Sequence, residues 1–84
     1  MRLDKYLKVT HLIKRREQAK EYIDAGYAYV NGRLAKPSTD VDVGDVISLG
    51  EKDHFRMVIE VTLVRNSCPL REVTSMYRVL SDGD

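Results

Sequence analysis

Apolar residues recur at a helical spacing at the start of the chain. Leu3, Tyr6 and Leu7 form one stripe, which predicts a short helix over residues 2–9. Thr10 is a candidate cap or turn residue at the end of this helix.

A second helical stripe follows this interruption. The spacing predicts a helix over residues 14–25, with Ala19, Tyr22 and Ile23 on its buried face. Gly26 is expected to end the helix, because glycine adopts the left-handed conformation without a Cβ clash.

The following residues favour β-strands. Asn31-Gly32, the strongest two-residue hairpin signal, joins a predicted strand over residues 27–30 to a return arm over residues 33–36. An acidic, turn-rich connector then leads to a predicted strand over residues 46–49.

Alternation of apolar and polar residues is clearest further along the chain. Every odd position in residues 55–64 is apolar, which predicts a long half-buried strand. Residues 71–76 favour one helical turn, and residues 77–80 favour a closing strand. We expect a single domain over residues 1–80 and a loose tail over residues 81–84. The predicted fold is α+β: two N-terminal helices packed on a small, bent antiparallel sheet of four to five strands.

The composition is typical of a small globular protein. The chain has 84 residues, of which 43% are hydrophobic and 32% charged, and no apolar run approaches the ~18 residues of a membrane span. We expect a soluble, cytoplasmic protein with no membrane partner, because Asp4, Lys5 and Lys8 interrupt any N-terminal secretory signal. Cys68 is the single cysteine, so it cannot form an internal disulfide.

Charge is distributed unevenly along the chain. The net charge is only +1, but residues 1–36 carry nine basic and four acidic side chains, whereas residues 37–84 carry five basic and nine acidic ones. A basic cluster sets the local potential even when the net charge is small. The N-terminal part is therefore a candidate surface for an anion or a nucleic acid, and a merely solvated charged surface is the alternative.

The basic cluster is densest at the predicted start of the second helix. Lys14, Arg15 and Arg16 would occupy its first turn, where the helix dipole disfavours cations and a bound phosphate would relieve the conflict. Packing of the two helices would join these residues to basic side chains of the first helix. The candidate RNA-binding residues are Arg2, Lys5, Lys8, Lys14, Arg15, Arg16 and Lys20. His11, beside this cluster, is a further candidate contact.

The acidic connector superficially resembles a calcium-binding loop. Asp40, Asp42 and Glu51 have the spacing of such a loop, but Gly44 and Asp45 stand in the inverted order. No metal is therefore expected.

Catalytic chemistry has little support. His11 and His54 lack a plausible set of metal ligands, and no pair of groups has the spacing of a general acid and base. We expect neither an enzyme nor a cofactor. Tyr27 or Tyr29 could stack on bases, although core or surface packing is the favoured interpretation.

Four short motifs over about residues 1–50 occur in a fixed order. They are Arg2-Leu3-Asp4-Lys5-x-Leu7, Arg16-x-x-Ala19, Gly26-x-x-x-Val30-Asn31-Gly32 and Val43-Gly44-Asp45-x-Ile47. The ordered set resembles the S4 RNA-binding domain, a family named after a protein of the small ribosomal subunit. The resemblance implies that Asp4 orients its basic neighbours. The implied RNA-contacting residues are Arg2, Lys5, Arg15, Arg16 and Lys20. The residues implied to hold the fold are Leu3, Ala19, Gly26, Asn31, Gly32 and Asp45.

The short chain and its ending around Met76-Tyr77 are more narrowly similar to stand-alone S4 proteins of the RqcP and heat-shock-protein-fifteen type. The chain lacks the long basic C-terminal extension of the heat-shock protein, which favours the RqcP type. The resemblance implies a non-enzymatic, monomeric factor of ribosome-associated quality control. It would bind rRNA of the large ribosomal subunit and stalled peptidyl-tRNA, and support alanine tailing by an RqcH-type factor. Two alternatives remain: an RNA-binding accessory subunit of a separate RNA-modifying enzyme, and a protein-interaction module using the acidic sheet half.

Overall fold

The computed structural model describes residues 1–82. Over this range the chain forms two α-helices, a 3-10 helix and five β-strands. The helices are α1 (Leu3–Val9), α2 (Arg16–Asp24) and the 3-10 helix η1 (Leu70–Ser75). The strands are β1 (Ala28–Val30), β2 (Arg33–Leu34), β3 (Val46–Glu51), β4 (His54–Val61) and β5 (Tyr77–Ser81).

The strands of the described range form one antiparallel sheet in the order β2-β1-β3-β4-β5. The register shifts between Leu49 and Gly50 and again between Val58 and Ile59. Irregularities of this kind bend a strand and increase its twist. The α+β prediction, with four to five strands behind two N-terminal helices, is confirmed.

The hairpin between β1 and β2 is the predicted one. Asn31 and Gly32 both have positive φ, at 52° and 81°, as a two-residue turn that matches strand twist requires. The Asn31 side chain also accepts a hydrogen bond from the Val46 N–H at 2.9 Å and donates one to Asp45 at 3.1 Å. The turn residue therefore also fixes the start of β3.

Three predicted strand ends in the second half of the chain differ from the structure, and the first is the end of β3, which lies at Glu51 rather than at residue 49. Strand β4 ends at Val61 rather than at residue 64, because the N–H groups of Thr62 and Leu63 donate to the Met76 carbonyl at 2.9 and 3.3 Å. Ser81, placed in the predicted tail, is the last residue of β5. Residues 83–84 of that tail lie outside the described residues.

The core lies between the helices and the sheet. Tyr6 of α1, Ile23 of α2 and Ile59 of β4 are almost completely buried. The Tyr6 hydroxyl donates to the Met76 carbonyl at 2.7 Å, and burial raises the pKa of this phenol, with a smaller contribution from Tyr77. Helix α1 is thereby fixed to the segment that leads into β5.

Candidate nucleic-acid interface

A tight connection sets α2 against α1. Thr10 is the C-cap of α1, and its hydroxyl donates to the carbonyls of Tyr6 and Leu7 at 2.8 and 3.2 Å. His11 follows with φ of 60°, and the Ile13 N–H returns to the Leu7 carbonyl at 3.1 Å. The chain therefore reverses direction before α2 begins.

Helix α2 starts later than predicted. Its N-cap is Arg15, with an extended backbone at φ −124° and ψ 142°, and its first residue is Arg16. The Arg15 carbonyl accepts the first helical hydrogen bond, from Ala19 at 3.0 Å. The prediction that Lys14 and Arg15 lie in the first turn, against the helix dipole, is therefore wrong, because both residues precede the helix. Within the first turn, Arg16 is followed by the acidic Glu17.

A buried carboxylate organises the basic side chains at this end of the molecule. Asp4 of α1 is fully buried and accepts hydrogen bonds from Arg2 Nε at 3.2 Å and Arg2 Nη2 at 3.1 Å. It also accepts one from the Lys5 backbone N–H at 2.7 Å, and Arg16 Nη2 lies 3.4 Å away. Asp4 thus joins α1 to the first residue of α2 through the contacts that it makes with basic side chains.

The connector between β2 and β3 is bonded to the start of α1. The Leu3 N–H donates to the Thr39 carbonyl at 2.8 Å, and the Asp4 N–H donates to the Pro37 carbonyl at 3.1 Å. The N-terminal ammonium of Met1 pairs with Asp40 at 2.8 Å. Three contacts therefore fix the position of the start of α1, including the backbone of Asp4, on the connector.

The ionisation of Asp4 follows from these contacts. Burial alone would raise the pKa of Asp4, but the Arg2 hydrogen bonds, the Lys5 N–H and the charges of Arg16 and Arg2 outweigh it. The net effect lowers the pKa of Asp4 below the ordinary aspartate value of 3.8. At neutral pH the side chain is a carboxylate that holds two guanidinium groups.

The two arginines remain open to a ligand while they bind Asp4. The side chain of Arg2 is 50% exposed and that of Arg16 is 43% exposed. Lys20, one turn after Arg16, lies 3.5 Å from Glu17 on the same helix. We call Arg2, Lys5, Arg16 and Lys20 the basic edge.

The sequence did not predict one residue that contacts the basic edge. Lys5 Nζ donates to the side-chain oxygen of Asn66 at 3.0 Å, across 61 residues of sequence. Asn66 lies in the loop after β4 and carries no local signal that would mark it. The contact depends on the sheet bringing that loop back beside α1.

The other predicted RNA-binding residues lie outside the Asp4 cluster. Lys8, Lys14, Arg15 and His11 are exposed. Within residues 1–82, no carboxylate is within 4.0 Å of the side chains of Lys8, Lys14 or Arg15. These cations are therefore available to a ligand.

The residues implied to hold the fold occupy structural positions. Leu3 and Ala19 are fully buried, and Gly26, with φ of 92°, follows the end of α2. Asn31, Gly32 and Asp45 form the turn and side-chain contacts described for the β1–β2 hairpin.

Neither a metal-binding cluster nor a membrane-spanning helix occurs in the described range. Residues 1–82 contain no group of three or more His, Cys, Asp or Glu side chains placed to hold a metal ion. No helix within that range is long and apolar enough to cross a membrane.

Comparison with known proteins places this arrangement in a family. The model of the S4 domain matches residues 1–47. The RQC P-site tRNA stabilizing factor of Streptococcus pneumoniae is 43% identical over 82 residues, covering 98% of this chain and 92% of the relative. The factor of the same name from Bacillus subtilis is 40% identical over 84 residues, covering 98% of this chain and 94% of the relative.

A solved structure supports the same assignment. The trimeric structure of heat shock protein 15 from Vibrio cholerae matches with a TM-score of 0.85 and 27% identity, covering 99% of this chain and 84% of that one. The buried Asp4 cluster and the hairpin at Asn31 both lie within the segment that the S4 model matches. The chain belongs to the S4-domain family and, within it, to the family of the RQC P-site tRNA stabilizing factors.

Proposed function

We propose that this protein binds RNA of an obstructed large ribosomal subunit and stabilises the tRNA held in the P site. It acts as a non-enzymatic monomer, and the retained peptidyl-tRNA supports alanine tailing of the nascent chain by an RqcH-type factor. The observation that carries the proposal is the pair of arginines held on buried Asp4, in a chain whose full-length relatives are named P-site tRNA stabilizing factors.

The arginine pair has the chemistry that a phosphate requires. A guanidinium group presents five N–H donors in a planar fork and binds phosphate in a bidentate manner. Asp4 accepts from Nε and Nη2 of Arg2 and lies beside Nη2 of Arg16, so Nη1 of each arginine is free of this carboxylate. Each guanidinium group is therefore oriented on one side and able to donate to a phosphate on the other.

Orientation before binding increases the contribution of these contacts. A free arginine side chain loses rotamer freedom when it binds, and a side chain already held by a partner loses less. Asp4 neutralises one of the two charges, and Lys5 and Lys20 keep the basic edge positive overall. The surface thus combines fixed geometry with the positive potential that attracts an RNA backbone.

The charge of residues 37–84 indicates which face of the protein contacts RNA. Nine acidic and five basic side chains lie in residues 37–84, so this part of the chain attracts phosphate less than residues 1–36 do. An RNA helix would therefore be contacted through α1 and the start of α2. This polarity suits a protein placed against RNA with one defined face.

Two charge-reversal variants test whether the basic edge is the part of the protein that binds RNA. Arg16→Glu should abolish co-sedimentation of the protein with large ribosomal subunits that carry stalled peptidyl-tRNA, because it places a carboxylate beside Asp4 on the basic edge. Arg71→Glu, the same reversal at an exposed arginine of η1, should leave co-sedimentation intact. Equal behaviour of the two variants contradicts the proposal.

A second measurement tests the quality-control role. In cells whose own factor has been deleted, the wild-type chain should restore alanine tails on a reporter stalled during translation, and Arg16→Glu should not. Restored ribosome binding without restored tailing would leave RNA binding in place and contradict the role in tailing.

A further inference from the structure

A groove lies on the other side of α2 from the basic edge. Ala19 and Ile23 form the buried face of the helix. Arg16 and Lys20 flank this face on one side, whereas Gln18 and Tyr22, also four residues apart, flank it on the other. Helix α2 therefore separates two surfaces of different chemistry.

The groove is formed between α2, the connection from α1 and the β3–β4 hairpin. Its main cavity has a volume of about 370 Å³, which is within the range of pockets that hold small ligands. The cavity is lined by Leu12, Ile13, Gln18, Tyr22, Arg56 and Met57, together with Leu49 at its base.

A second cavity continues the groove along β3 and β4. It has a volume of about 270 Å³ and shares Tyr22 and Arg56 with the first. Tyr27 lies beside Tyr22, with ring centroids 5.4 Å apart and the planes tilted by 41°. Glu51 and His54 line the far end. The groove thus has an apolar and aromatic wall, the cation Arg56 at its middle and the acid Glu51 at one end.

Arg56 is available to an anionic group in this groove. Its side chain is exposed, and within residues 1–82 no carboxylate lies within 4.0 Å of it. Burial raises the pKa of Tyr22, and the positive charge of Arg56 partly offsets this effect. The guanidinium group therefore lies close enough to act on the tyrosine that forms the aromatic wall.

One class of ligand matches all of these features. A single-stranded nucleotide needs an aromatic or apolar wall for its base, a donor and acceptor for the base edge, and a cation for its phosphate. Tyr22 and Met57 supply the wall, the Gln18 amide supplies the donor and acceptor, and Arg56 supplies the cation.

Continuity with the cations of the helical half favours RNA over an acidic peptide. The groove opens beside Ile13, and the next two residues are Lys14 and Arg15, both exposed. An RNA strand that passes these cations enters the first cavity, where it reaches Arg56. Glu51 at the far end disfavours phosphate there.

We propose that this groove binds one unpaired nucleotide of the RNA, with its base against Tyr22 and its phosphate on Arg56. The inference rests on the proposed function, since its ligand is part of the RNA that the basic edge contacts. It adds a preference for RNA in which a base has left the helical stack.

The test uses two RNA hairpins that differ in one nucleotide. One has a fully paired stem, and the other carries a single bulged nucleotide, prepared in four forms with A, G, C or U. Fluorescence anisotropy with the full chain should show about tenfold tighter binding of at least one bulged form, because stacking of one base contributes on this scale. The side-chain amide signal of Gln18 in a nitrogen–proton NMR spectrum should shift with that form and not with the paired hairpin.

Variants of the groove residues test whether the groove causes the preference for the bulged hairpin. Tyr22→Leu should reduce the ratio of the two affinities to about one, and Arg56→Gln, which removes the phosphate contact, should reduce it in part. Tyr22→Phe, which keeps the ring, should retain it. Arg78→Gln serves as the matched control for Arg56→Gln, because Arg78 is exposed and pairs with Glu60 outside the groove. Each variant is first checked for the wild-type NMR dispersion.

The outcomes separate this inference from the proposed function. Equal affinity of the wild-type chain for all the hairpins overturns the nucleotide site, and so does a preference that persists in both Arg56→Gln and Tyr22→Leu. In either case, a loss of binding in Arg16→Glu would still support the basic edge. A loss of affinity for both hairpins in Arg16→Glu, with the ratio unchanged, is the result expected if both proposals hold.

Discussion

Arg16, the first residue of α2, lies 3.4 Å from the carboxylate of Asp4 in α1, and both residues lie near the surface that we assign to RNA. The same carboxylate holds Arg2 through two hydrogen bonds. One buried acid therefore couples the packing of the two helices to the geometry of the proposed binding surface. Stability and RNA binding should respond together when it is changed.

Asp4→Asn should lower the free energy of unfolding by about 2 kcal/mol, because hydrogen bonds between a carboxylate and charged donors contribute on this scale. The amide keeps the volume and one acceptor oxygen but loses the charge. Urea denaturation followed by circular dichroism measures the change. Asp40→Asn is the matched control: its carboxylate is 85% exposed, so the cost should be at most about 1 kcal/mol. Equal losses in the two variants would contradict the organising role of Asp4.

The contribution of Asp4 should depend on pH in one direction. Its pKa in the folded state lies below the ordinary value of 3.8, so the unfolded chain takes up this proton first as the pH falls. The stabilisation is fully present above the unfolded pKa and is lost as the pH falls through the folded pKa. The difference in unfolding free energy between wild type and Asp4→Asn should be constant from pH 7 to about pH 5 and shrink below about pH 4. A difference that grows in acid would contradict the assignment.

Tyr6→Phe tests the link between α1 and the segment before β5. The variant removes the hydroxyl that donates to the Met76 carbonyl at 2.7 Å and should cost about 1 kcal/mol of stability. The cost is modest because Met76 also accepts from the Thr62 N–H at 2.9 Å. Tyr29→Phe is the control, since no hydrogen bond of the Tyr29 hydroxyl occurs within residues 1–82. Thermal or urea unfolding that fails to distinguish the two variants would count against the Tyr6 contact.

Substitution of Asn31 in the hairpin should lower stability in two ways, through the lost side-chain contacts and through the backbone conformation that the new residue must adopt. Asn31→Ala and Asn31→Gly both lose the contacts to Asp45 and Val46. Alanine must in addition adopt φ of 52°, a left-handed conformation that costs roughly 1 kcal/mol more than in glycine. Alanine should therefore be the less stable variant by about that amount in urea unfolding. A glycine variant as unstable as the alanine variant would contradict this account.

Features set by neighbouring residues could be predicted from the sequence. The Asn31-Gly32 turn follows from the conformational freedom of those two residues, and the end of α2 from Gly26. The alternation in β4 likewise marked a strand, because one side of it packs on the core. Local chemistry and a period of two residues were sufficient at these positions.

Features set by distant contacts could not be predicted in this way. Helix α2 begins at Arg16, after a connection in which the Ile13 N–H donates back to the Leu7 carbonyl. The pairing of Lys5 with Asn66 and the early end of β4 depend on segments that meet only in the folded chain. The basic residues themselves were identified from charge alone, whereas their sharing of one carboxylate requires the structure.

The salt dependence of binding to large-subunit RNA tests the central claim most directly. The slope of the logarithm of the binding constant against the logarithm of the salt concentration counts the phosphates that are neutralised. Arg2→Gln and Arg16→Gln should each reduce the magnitude of this slope by about 1, whereas Arg71→Gln, an exposed arginine of η1, should leave it unchanged. Slopes that are the same in all three variants and the wild type would contradict the assignment of the basic edge to RNA phosphates.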